Sequence, residues 1–80
     1  MKNFPSQVRA ARGLLNLTQQ DLAELSQVSL RTIVQLERGN KVSGSVLTAL
    51  QLSLEAAGVE FIPDNGGGAG VRFKEPRSQD

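Results

Sequence analysis
Eighty residues allow one small domain with a modest core and leave little room for an enclosed substrate site with its own supporting shell, which argues against an enzyme. The absence of Cys and His removes disulfides, thiol nucleophiles, imidazole bases and Cys/His zinc sites, so no metal or cofactor is expected. A net charge of +1 does not by itself point to or away from nucleic acid, but residues 1–41 carry six bases against three acids while residues 42–80 carry three against five.

The first residues, MKNFP, read as an arm too polar for a secretory leader, and no apolar run approaches the ~18 residues that span a bilayer. A cytoplasmic protein without membrane contact is expected. Ser6 is the expected cap of a first helix in which Val8, Ala11, Leu14 and Leu15 recur at helical spacing, interleaved with Arg9 and Arg12. Leu17 should bridge into the core. Thr18 followed by Gln19-Gln20-Asp21 places a hydroxyl three residues before an acid, the pattern of a capping box. The helix it opens carries Leu22, Ala23 and Leu25 and ends near Ser26-Gln27. Ser29 is a second cap only a few residues later, and Ile33 and Leu36 form the apolar stripe of a helix running into Arg38-Gly39. Two helices so closely joined cross steeply, and Ala23 is the small residue that lets their backbones approach.

After the Asn40-Lys41-Val42 loop, Ser43 should cap a long helix with Val46, Leu47, Leu50 and Leu54 on its buried stripe, Leu52 off it, and Gly58 as its terminator. At Val59 the period changes from helical to alternating: Val59 and Phe61 face one way, Glu60 and Ile62 the other, up to Pro63. A glycine-rich connector, Asp64 to Gly70, separates this strand from Val71-Arg72-Phe73. It lacks the Lys-Ser/Thr ending of a phosphate loop and is not followed by a helix. A lone hairpin is marginal in water, so pairing of these strands between two chains, burying Phe61, Ile62 and Phe73, is the expected dimerisation device.

The stretch LTQQDLAELSQVSLRTIVQLERG resembles the helix-turn-helix of the Cro/repressor-type (XRE) family of DNA-binding regulators, and the likeness runs from about Gln7 to about Gly58. Its marks are Thr18-Gln19, Leu22-Ala23, Val28-Ser29, Thr32-Ile33, Leu36-Glu37 and Gly39. Two positions depart from the family pattern: Gln27 stands where the turn usually has Gly, and Ser26 where it has an apolar residue. A Gln27 forced to positive φ strains the turn. The resemblance implies a mainly α, lambda-repressor-like bundle of four to five helices with a helix-turn-helix, plus the short C-terminal strand or hairpin. The expected organisation is a DNA-binding domain over 1–58, a strand and Gly-rich segment over 59–73, and a flexible tail over 74–80.

The resemblance further implies that Arg12 pairs with Glu37. It also implies that Leu30, Arg31 and Gln35 face base edges and that Gln19 and Ser29 lie near phosphates; Thr32 joins the base-facing set by its outward position, and Arg38, Asn40 and Lys41 join the phosphate contacts as a basic edge beyond the helix. The chemistry suits these roles. Arg31 can bond two guanine acceptors, Gln35 can pair with adenine, Leu30 can pack on a thymine methyl group, and Thr32 suits a base or a phosphate. Two readings follow. One is a homodimeric transcriptional repressor on a palindromic operator. The other, favoured by exposure of Leu30 and Val34, is a regulator that binds protein: an antiactivator that sequesters a transcription factor, or the antitoxin of a toxin pair.

Overall fold
The computed structural model describes residues 3–75. Four helices, α1 (Phe4–Leu15), α2 (Gln19–Ser26), α3 (Leu30–Glu37) and α4 (Gly44–Ala56), are followed by strands β1 (Val59–Ile62) and β2 (Gly70–Phe73). The chain is therefore mainly helical with a small antiparallel hairpin.

Local chemistry sets most boundaries. Thr18 Oγ1 accepts the Asp21 N–H at 2.9 Å while the Asp21 carboxylate accepts the Thr18 N–H at 2.9 Å, closing the capping box of α2. Ser29 and Ser43 cap α3 and α4 by accepting from Thr32 N–H at 3.1 Å and Val46 N–H at 3.3 Å. At the far end of α1, Asn16 takes the left-handed conformation (φ 59), and the N–H groups of Leu17 and Asn16 return to the carbonyls of Arg12 and Gly13. Gly58 (φ 115) turns the chain out of α4 into β1.

The expected start of α1 is corrected. Ser6 is not its cap; the helix begins at Phe4 with Asn3 at the cap position and Pro5 in the first turn, where its fixed φ and missing N–H cost nothing. Phe4 is buried and stacks on Phe61, ring centres 5.4 Å apart. Residues read as an arm thus supply the largest side chain of the core.

The core is formed by Phe4, Val8, Ala11, Leu22, Ile33, Leu36, Leu50, Leu54 and Val59, so every helix and β1 contribute to one cluster. Leu17, Ala23, Val46 and Leu47 pack around it. Leu52 is 59% exposed, as its position off the stripe implies.

The strands pair with each other within the chain: Val59 opposes Phe73, Glu60 Arg72, Phe61 Val71, and Ile62 Gly70. Alternation puts Val59, Phe61, Val71 and Phe73 on the core side and Ile62 on the other. Phe61 and Phe73, expected at an interface between chains, are partly buried against their own chain's core. A hairpin too small to stand alone packs here on the helices beneath it. Gln7 ties α1 to the hairpin end, its amide N–H groups donating to the carbonyls of Gly70 at 3.0 Å and Ile62 at 3.3 Å. Lys74 N–H bonds Gly58 C=O at 2.9 Å, and the remainder of the expected tail, 76–80, lies outside the described residues.

Candidate nucleic-acid interface
The turn between α2 and α3 fixes how α3 is presented. Gln27 takes φ 60, and its side-chain amide donates to Glu24 C=O at 2.8 Å. Ser26 is buried but satisfied: its hydroxyl donates to Leu22 C=O at 2.7 Å and accepts from Val28 N–H at 3.3 Å. The polar residue at a position expected to be apolar therefore braces the turn.

Glu37 anchors the other end of α3. Its carboxylate, with 5% of the side chain exposed, takes two bonds from Arg12: Nε at 2.8 Å and Nη2 at 2.7 Å. The fork is a charge-assisted bidentate pair, and these bonds raise the Arg12 pKa above its already high ordinary value. Arg12 Nη1 reaches Leu17 C=O at 3.2 Å, and the Gln19 amide donates to Glu37 Oε1 at 3.1 Å. One buried carboxylate thus joins α1, the start of α2 and the end of α3. Arg9 adds a bond that sequence reading missed. Its guanidinium donates to Glu37 C=O, placing a cation at the C-terminus of α3, where the helix dipole favours it. The available signal was its spacing, three residues before Arg12 on the same helix face.

The outward face of α3 carries Leu30 (40% exposed), exposed Arg31, and half-buried Thr32 and Gln35. Val34, expected to be exposed, is half-buried. Arg31, Thr32 and Gln35 line an open groove with Lys41, Val42, Ser43 and Val46 between the starts of α3 and α4. The structure therefore brings three of the four expected base-facing residues and Lys41 onto one surface. Arg31, Arg38 and Lys41 are exposed, and the only acid between residues 29 and 43 is Glu37, buried against Arg12. The near-zero net charge conceals a locally basic face.

Three residues expected near phosphate already have intramolecular partners. Gln19 is held by Glu37, and Ser29 Oγ caps α3 while donating to Thr32 Oγ1 at 2.8 Å. The Asn40 side chain donates to Gln35 Oε1. Arg38 and Lys41 are exposed without such ties to their side chains among the described hydrogen bonds.

Two short capped helices, a buried ion pair behind them and a basic outward face define a helix-turn-helix DNA-binding domain. Residues 8–55, more than half of the chain, match the model of the XRE-type helix-turn-helix family, and the chain belongs to that family. No curated protein matches the sequence closely enough to serve as a relative. The protein is accordingly a DNA-binding helix-turn-helix regulator. Among the described residues, no helix is long and apolar enough to cross a membrane.

Proposed function
We propose that the protein is a sequence-specific transcriptional repressor, acting in the cytoplasm as a homodimer on a palindromic operator. The observation that carries this reading is the outward face of α3, where Leu30, Arg31, Thr32 and Gln35 are flanked by exposed bases with no exposed acid among residues 29–43. Arg31 and Gln35 supply hydrogen bonds for base edges, Leu30 supplies an apolar surface for a thymine methyl group, and Arg38 and Lys41 supply charge for phosphates.

Dimerisation follows from helix length. An eight-residue helix is ~12 Å long and spans only three or four base pairs, too few to mark a unique site among the ~10⁶ or more competing positions of a genome. A twofold copy doubles the sequence read to roughly six to eight base pairs, with half-sites ~34 Å apart. That cuts chance matches by a further factor of about 10² without alone making the site unique. Ile62, on the face of β1 turned away from the core, is the hairpin residue best suited to the contact between copies. Repression then needs occupancy alone, since a bound dimer excludes other proteins from its stretch of duplex.

The antiactivator and antitoxin readings rested on the low net charge and on two apolar residues on α3. Leu30 is 40% exposed and Val34 half-buried like Thr32 and Gln35, and it is the exposed Arg31, Arg38 and Lys41 around them that favour DNA as the ligand.

Random-site selection with the purified chain, followed by light scattering of the complex, tests the proposal. The expected result is a palindrome bound by two chains. No enrichment at low salt would overturn base recognition. Ile62→Glu should yield a folded monomer; an unchanged dimer mass would place the interface elsewhere.

A further inference from the structure
We propose that Asn40 is a specificity-determining residue that acts through Gln35, holding its amide so that the NH₂ group rather than the oxygen is offered to DNA. The inference rests on the reading of α3 as the base-recognition helix.

Two independent ties bring these residues together. Gly39 takes φ 90, and α3 closes with a paired C-terminal motif in which Gly39 N–H bonds Leu36 C=O at 2.8 Å and Asn40 N–H bonds Gln35 C=O at 3.0 Å. That motif places the Asn40 backbone directly over Gln35. The Asn40 side-chain amide then donates to Gln35 Oε1. A carboxamide is an acceptor at one end and a double donor at the other, so a partner on one of the two lone pairs of Oε1 fixes which way the amide faces and which end it turns toward a ligand.

The consequence is chemical. Bidentate pairing of glutamine with adenine needs both ends, the oxygen for N6–H and the NH₂ group for N7. With Oε1 turned toward Asn40 and one of its lone pairs taken, the NH₂ group is the end left facing away from Asn40, and it favours base edges that present acceptors, N7 and O6 of guanine or O4 of thymine. Gln35 shares the groove with Arg31 and Lys41, so its amide orientation bears on the same surface as the other reading residues. Asn40 thereby acts as a positioning residue for base choice.

Site selection with four full-length proteins tests this. Gln35→Ala locates the base position that Gln35 reads, as the column whose preference disappears. In the wild type that column should favour guanine or thymine. Asn40→Ala frees the Gln35 oxygen, and the affinity ratio of adenine to guanine or thymine there should rise about tenfold, the factor of one hydrogen bond of ~1.4 kcal/mol. Asn40→Asp accepts from the Gln35 NH₂ group and should turn the oxygen outward, moving the preference to adenine or cytosine, which present donors. Asn40 lies in an exposed loop, and a melting curve of each variant confirms folding. An adenine column in the wild type, or a column unchanged in both Asn40 variants despite uniformly weaker binding, would overturn the inference and leave Asn40 as a phosphate contact. Failure of the wild type to enrich any sequence would instead overturn the base-recognition reading itself, and this inference with it.

Discussion

Arg12→Ala removes the side chain that joins α1 to the end of α3 and to the Leu17 carbonyl ahead of α2. The pair is bidentate at 2.7 and 2.8 Å, with 19% of the Arg12 side chain and 5% of the Glu37 side chain exposed. Truncating one partner of a buried pair costs ~3–5 kcal/mol, chiefly because the surviving charge stays desolvated and unpaired. Two features set the expected loss at the lower end: Gln19 still donates to Glu37 Oε1, and the space vacated by a partly exposed arginine admits water. A loss of about 3 kcal/mol compares with a total stability of roughly 4–12 kcal/mol for a domain of this length. At ~4–8 °C per kcal/mol, the melting temperature should fall by roughly 12–24 °C. Thermal unfolding followed by circular dichroism measures it, and the double variant Arg12→Met/Glu37→Met separates the ion pair from its setting. Removing both charges should recover much of the loss, because no buried carboxylate is left without a partner. A melting temperature of Arg12→Ala within about 2 °C of wild type would refute the assignment of Glu37 as the anchor of α3.

The remaining predictions concern the caps, the turn and the phosphate contacts. The N–H and hydroxyl of Thr18 hold the Asp21 carboxyl below its ordinary pKa of ~3.9, so its contribution is present above that value and is lost as pH falls through the lower folded one. Asp21→Asn should therefore lower stability at pH 7 and lose less on acidification than wild type; parallel acid melts would contradict this. Gln27→Gly relieves a left-handed residue costing ~1–2 kcal/mol but adds up to ~1 kcal/mol of chain entropy and loses the bond to Glu24 C=O, worth ~0.5–1.5 kcal/mol, so the melting temperature should stay within a few degrees of wild type. A fall of more than about 10 °C would contradict this. Lys41→Ala should weaken binding to all DNA alike and shallow the slope of log K against log salt by about one unit. An unchanged slope would remove Lys41 from the phosphate contacts.

Features governed by neighbours within four residues were legible in the sequence. The Thr18, Ser29 and Ser43 caps follow from a hydroxyl three residues before the N–H that it accepts, and the buried stripe of α4 from helical spacing alone. Arg12–Glu37 was legible only through family resemblance, because 25 residues separate the partners. The start of α1 was misplaced at Ser6, and the packing of three side chains was not legible because each depends on a partner distant in sequence. Phe4 looked like part of an arm because the ring that buries it, Phe61, lies across the chain. The packing of Phe61 and Phe73 on their own core was not legible because alternation reveals which side chains share a face but not what covers that face. Within the candidate site, the outward position of Arg31 and Gln35 followed from the inward stripe of Ile33 and Leu36. The Asn40 bond to Gln35 depends on Gly39 adopting positive φ and on the helix closing at that residue, which places two amides together that residue spacing alone does not.

The most direct test of the central claim, that the outward face of α3 chooses the DNA sequence, compares sites selected by wild type with those selected by Arg31→Ala. Arg31 is exposed and makes no contact needed for the core, so the variant should fold. One base position in each half-site should lose its preference, at a cost of ~1–3 kcal/mol of discrimination, while the others keep theirs. Identical selected sites for the two proteins, column by column, would contradict the account.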